Sequence, residues 1–167
     1  MNYKKQGEKI MDEITIVDVP NQKVIGMRKE GRYQKLIPSM LQKLFPHIMK
    51  FGDDICCGPP MFICHETCVE EVMEADKTGS ADVEVAIPIS KNIDETEDMK
   101  IYELPGGKMV KTIYKGPYDK CEQAYEKLFK WIEQNGKTIT GPTREVYLND
   151  PNEVGIEETL TEIYAPI

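Results

Sequence analysis

The chain is short of the residues that several partner classes demand. It carries 21 lysines and arginines against 29 aspartates and glutamates, a formal charge of −8 at pH 7. Phosphate backbones are held by clustered cations, so a direct nucleic-acid partner is not expected. An acidic surface favours cationic ligands instead. No apolar run approaches the roughly 20 residues that cross a bilayer, and the opening MNYKKQGEKIMDE lacks the apolar core of a signal peptide. A cytoplasmic protein with no membrane partner is therefore expected. The five cysteines are an odd number, and in a reducing compartment they read as free thiols. They also lack metal spacing: zinc sites use pairs of the C-x-x-C type, whereas here Cys56-Cys57 is followed by Cys64-His65 and Cys68. That order reverses the C-x-x-C-H of haem attachment, and His47 has no supporting context. No metal and no cofactor are expected.

What the chain does have is a repeat. VPNQKVIGMRKEGRYQK and LPGGKMVKTIYKGPYDK align at one constant spacing, with Pro20, Gly31 and Tyr33 matching Pro105, Gly116 and Tyr118. Gly58-Pro59 then matches Gly141-Pro142, which sets Phe62 opposite Glu145. VEVAIPI matches the closing TEIYAPI, which sets Glu84 opposite Glu162. Two copies are a duplication rather than a stacked array. Residues 1–12 read as a polar lead-in, and 13–167 as one compact unit built from halves 13–89 and 99–167 joined by the linker 90–98.

Within the first copy, alternation predicts strands over Ile14–Val19 and Lys23–Arg28, an antiparallel pair around the Pro20-Asn21 turn. Apolar residues at steps of three and four from Ile37 to Ile48 predict a helix between Gln34 and Phe51; Pro38 suits a first turn and Pro46 should bend or break it. Strands follow over Met61–Cys64 and Asp82–Ile89, separated by the polar stretch Val69 to Ala81. The second copy repeats the order with strands Met99–Leu104, Lys108–Lys115, Arg144–Asn149 and Glu157–Pro166. Its helix carries the stripe Cys121, Ala124, Tyr125, Leu128, Trp131 and Ile132, opening on a capping box of Asp119 and Glu122 and stopping at Asn135-Gly136. The expected fold class is α+β: duplicated β-β-α-β-β halves, a pseudo-twofold antiparallel sheet with two helices, and a central ligand groove.

Strand alternation puts Glu145 on one face with Tyr147, and Glu162 on one face with Tyr164. A carboxylate on an inward-facing strand position is costly without a partner; on an outward face the same residues would be solvated or paired with Lys and Arg. The alternation alone leaves both open.

The turn KGPYDK, the GP that leads into REVYLNDP, and the terminal TEIYAPI together resemble the GyrI-like small-molecule-binding domain, the effector-binding domain of multidrug-sensing transcription activators. The resemblance covers residues 13–167. It implies a pseudo-twofold pair of half-domains around an aromatic pocket, with the central glutamate on Glu145, a pocket-edge glutamate on Glu162 and its aromatic neighbour on Tyr164. Phe62, Tyr114, Tyr118 and Trp131 are the candidate walls. The implied ligands are lipophilic or aromatic molecules, often cationic, attracted by the carboxylate and by aromatic faces. Several members place a helix-turn-helix domain ahead of this one, and nothing of that kind is read here, so a stand-alone member with an unidentified regulator partner is expected. Some stand-alone members hydrolyse small strained electrophiles with the central glutamate and a nearby tyrosine. That makes Glu145 and Tyr147 catalytic candidates in the alternative reading.

Overall fold

The computed structural model describes residues 13–167; the lead-in expected over 1–12 lies outside the described residues. The strands are β1 Thr15–Val19, β2 Gln22–Gly31, β3 Met61–Cys64, β4 Ala81–Pro88, β5 Lys100–Leu104, β6 Gly107–Lys115, β7 Thr143–Tyr147 and β8 Leu160–Pro166. The helices are α1 Tyr33–Met49, α2 Val69–Thr78, α3 Glu122–Gln134 and the single turn α4 Pro151–Val154. The fold is mixed α/β, and every ladder described is antiparallel. Contacts divide the chain into two units, residues Pro20–Gly106 and a second made of the chain up to Val19 with Gly107–Ile167.

In the Pro20–Gly106 unit, β4 lies between β3 and β2, and β5 pairs with the other edge of β2. Val83, Val85 and Ile87 are fully buried on one face of β4, and α1 contributes Met40, Leu44 and Ile48. Burying each such side chain stabilises the unit by about 1.5–3 kcal/mol. Pro46 does not break α1, which runs on to Met49. It stands one turn from the end, so only the last turn lies beyond the backbone bond it forfeits. Pro38 lies in the second turn rather than the first.

The polar stretch from Val69 folds as α2. Val69, Val72 and Met73 stand at helical spacing, but the stripe is short and none of them is fully buried. Its ends hold it: Glu70 and Glu71 stand in the first turn, Glu71 Oε2 accepts from the Thr67 amide and hydroxyl, and Gly79 closes the helix at φ 71°.

In the second unit the order is β1-β6-β8-β7. α3 lays Ala124, Leu128 and Ile132 over Val110, Ile163 and Ala165. The expected capping box is not formed. Tyr118–Lys120 is a 3-10 turn and Cys121 caps α3 with helical dihedrals, so no side chain takes the cap position's bond. Strand β8 begins at Leu160 rather than Glu157, because Ile156–Glu158 forms another 3-10 turn.

The pairing of the first two strands is the larger difference. β1 and β2 do not form a hairpin: β1 pairs with β6 of the second copy, and β5 of the second copy pairs with β2. The compact units are therefore cut at Val19 and Gly106, not at the linker that separates the sequence copies. The registers nevertheless repeat pair for pair. Arg28 faces Glu84 as Ile113 faces Glu162, Gly26 faces Ala86 as Lys111 faces Tyr164, and Val24 faces Tyr102 as Met109 faces Val17.

Candidate functional site

Glu145 is the middle residue of β7 and pairs with Ile163. Residues paired across antiparallel strands share a face, so Glu145 and Tyr147 lie on the side that carries the apolar core under α3. The carboxylate is at the margin of that core, where the start of α3 comes over the sheet. Tyr125 donates its hydroxyl to Glu145 Oε1 at 2.6 Å, Tyr147 donates to Oε2 at 3.0 Å, and the Cys121 sulfur lies 4.0 Å from Oε1. The Tyr118 ring meets the Tyr147 ring edge-on at 5.2 Å, and Tyr125 packs beside Phe129.

A glycine places Tyr118. Gly116 has φ +135°, and a Cβ there would stand 2.9 Å from the Tyr114 hydroxyl. That hydroxyl donates to the Pro117 carbonyl at 2.9 Å, while Thr159 bonds the Gly116 backbone from the other side. The G-P-Y turn is thus held rigidly as it delivers Tyr118 towards Tyr147.

Burial pushes the Glu145 carboxyl above its ordinary range, opposed by the hydroxyls of Tyr125 and Tyr147. Burial and then the Glu145 charge push the Tyr147 phenol far up. Burial, followed by Glu145, raises the Cys121 thiol to about 12, so it is not a nucleophile at neutral pH. Tyr118 is raised by burial, then by the charges of Asp150 and Glu145. Among the described residues no lysine or arginine forms an ion pair with Glu145; its donors are neutral.

The second expected carboxylate is elsewhere. Val146 pairs with Glu162 and Arg144 with Tyr164, so Glu162 and Tyr164 occupy the opposite face of this sheet from Glu145 and Tyr147. The two Glu-Tyr pairs do not converge within this unit. Glu162 is bound by the Lys111 ammonium at 2.7 Å and accepts the Tyr164 hydroxyl at 2.7 Å. Burial, followed by Glu162, pushes the Tyr164 phenol up, and Arg144 opposes the shift. Of the remaining wall candidates, Tyr114 is 5 % exposed and belongs to the core with its hydroxyl spent on the turn. Trp131 is partly buried against the same core. Phe62 belongs to the Pro20–Gly106 unit, where its ring meets Tyr33 edge-on at 5.5 Å.

Two features escaped the reading of the sequence. Tyr125 belongs to the apolar stripe of α3, and its spacing of four from Cys121 places both on one helical face. The Pro20–Gly106 unit also holds a buried carboxylate, Glu84, 8 % exposed. It accepts the Tyr102 hydroxyl at 2.5 Å, and His65 Nε2 lies 2.6 Å from its other oxygen. The match of Glu84 to Glu162 in the repeat was the available signal. Among the described residues no cluster of His, Cys, Asp or Glu could hold a metal ion, and no helix is long and apolar enough to cross a membrane.

The fold and the family-model match together define a small-molecule binding domain. Residues 12–167 match the GyrI-like small molecule binding domain, and the chain belongs to that family. It is similar to the C-terminal domain of EcmrR in its crystal structure, at 24% identity and TM-score 0.76, covering 92% of this chain and 96% of that one. EcmrR in its DNA complex, seen by cryo-EM, matches at 26% identity and TM-score 0.77 over 98% of this chain. This chain spans 60% of that longer protein. SAV2435 bound to tetraphenylphosphonium shares the fold at 15% identity and TM-score 0.60, covering 92% and 93% of the two chains. A hydrolase from Listeria innocua does so at 16% identity and TM-score 0.61, covering 98% and 97%. Comparison with curated proteins gave no match.

Proposed function

We propose that this protein binds small lipophilic or aromatic cations, with Glu145 as the counter-charge and Tyr118, Tyr125 and Tyr147 as the surrounding phenols. The observation that carries the reading is the partnership of Glu145. A desolvated carboxylate whose donors are all neutral keeps a net negative charge when ionised, and a cation that reaches it gains attraction the protein itself does not supply. Aromatic faces add about 0.5–2 kcal/mol through cation–π contact. The tetraphenylphosphonium complex of SAV2435 supports this class of ligand by likeness of fold.

Calorimetric titration of the wild type and Glu145→Gln with tetraphenylphosphonium is the test. The substitution keeps shape and removes charge. An attraction across about 5 Å at an effective dielectric near 20 is worth about 3 kcal/mol before desolvation, so a 10- to 100-fold loss of affinity is expected, with neutral aromatics spared. Equal affinity in the two proteins refutes the reading.

A second reading is kept because Tyr147 stands 3.0 Å from Glu145. A carboxylate with a raised pKa beside a phenol that stays protonated can take a proton from water and return one to a leaving group. On this reading the chain hydrolyses strained or activated electrophiles. Turnover of an activated small ester by the wild type, lost in Glu145→Gln, would place it ahead of pure binding.

A further inference from the structure

The second carboxylate of this unit already has a cation in it. The Lys111 ammonium lies 2.7 Å from Glu162 Oε1 and 5.7 Å from the centre of the Tyr164 ring, whose hydroxyl donates to Glu162 Oε2 at 2.7 Å. A carboxylate on one side and an aromatic ring on another is what an organic cation seeks in a binding site. The side chains of Lys111 and Glu162 are 25% and 15% exposed, so the pair is shielded enough for its attraction to survive salt.

The fold does not require a lysine there. In the register of the other copy, Gly26 stands where Lys111 does, and Glu84 where Glu162 does. The space over Gly26 is filled by Tyr102, whose oxygen would clash with any Cβ at that position. Glu84 is met by that phenol and by His65, while the nearby Arg28 is held by both oxygens of Asp82. The same buried carboxylate is thus satisfied in one unit by polar neighbours and in the other by a tethered ammonium.

We propose that Lys111 is a built-in ligand: its ammonium occupies a cation site made by Glu162 and Tyr164 and closes it to outside cations, so that within this unit cation selection falls to Glu145. The ligand class of the closed site is a small primary alkylammonium, the chemistry of the side chain that fills it. Arg144 stands opposite Tyr164 in register, on the same face. The inference rests on the reading of Glu145 in its consequence for selection, but not in its chemistry.

Lys111→Ala removes the tether and leaves the site. n-Butylammonium, the excised group as a free molecule, is titrated into the wild type, Lys111→Ala, and Lys111→Ala with Glu162→Gln, with 1-butanol as the neutral control. One equivalent is expected to bind Lys111→Ala at least about tenfold more tightly than the wild type, since a charge-assisted bond and a cation–π contact are regained. The gain should vanish with Glu162→Gln and be absent for 1-butanol. A folded Lys111→Ala that binds no better than the wild type overturns the proposal, as does a gain that survives Glu162→Gln. Should the variant not fold, side-chain amine NMR of the wild type decides: Lys111 should show ammonium protons slowed in exchange and lost in Glu162→Gln, and signals averaged like those of exposed lysines overturn it. A wild type that binds no tetraphenylphosphonium would refute the reading of Glu145 and leave this result standing.

Discussion

Removing the hydroxyl of Tyr125 should raise the Glu145 carboxyl further than removing that of Tyr147. Burial drives this group up, and the two phenols are what hold it down. The Tyr125 bond is the shorter, 2.6 Å against 3.0 Å. A hydrogen bond to a charged group is worth about 1.5–3 kcal/mol net, and 1.36 kcal/mol is one pKa unit. Tyr125→Phe is therefore expected to cost the ionised form about 1.5–3 kcal/mol and raise the carboxyl further, and Tyr147→Phe to raise it less. The sign on stability follows from a folded pKa above the unfolded one: the contribution of Glu145 is fully present below its unfolded pKa and is lost as the pH rises through its folded pKa. Tyr125→Phe moves that loss to higher pH and deepens it. A cation bound at the carboxylate opposes it, so tetraphenylphosphonium should bind more tightly as the pH rises through the same range. The assay is the carboxyl 13C titration of Glu145, with thermal unfolding across pH in parallel and Glu145→Gln as the variant that lacks the step. If Glu145 in Tyr125→Phe titrates at or below the wild-type pH, the account of the site is wrong. If Tyr147→Phe shifts it more, the ranking by geometry is wrong.

Gly116→Ala forces a Cβ into a left-handed position and towards the Tyr114 hydroxyl. A loss of about 2–4 kcal/mol in chemical denaturation is expected, and a change within about 0.5 kcal/mol would refute the role given to the turn. Gly26→Ala should cost about 1–3 kcal/mol by driving the Tyr102 phenol off Glu84. Adding Tyr102→Phe removes the nearest clashing atom, so the two penalties should be less than additive; full additivity would show that the phenol is not what Gly26 accommodates.

How much of this was legible beforehand varied with how local the cause was. The alternation of β7 put Glu145 beside Tyr147 correctly, because period two is a property of a few successive residues. The repeat was equally plain, and its register survives in every ladder that can be compared between the copies. Helix α2 was missed because its apolar stripe is short: Val69, Val72 and Met73 recur at helical spacing among acidic residues, and none is fully buried. Glu162 was read together with Glu145 because each follows the same local pattern. Which face each takes depends on the pairing of β7 with β8, and no single strand reveals that. Tyr125 was hidden for the opposite reason: a tyrosine in a core stripe looks like core until the strand beneath it supplies a carboxylate.

The exchange of first strands has a consequence for how the chain can be divided. A fragment ending at the linker, residues 13–89, would carry β1 without the β6 edge it pairs with and β2 without β5. Each open edge would then present the register of the missing strand. A half-length chain of this plan closes its sheet only by taking a first strand from a second copy, as two people complete a handshake. The covalent duplication makes that second copy permanently present, at a fixed stoichiometry and with no dissociation constant.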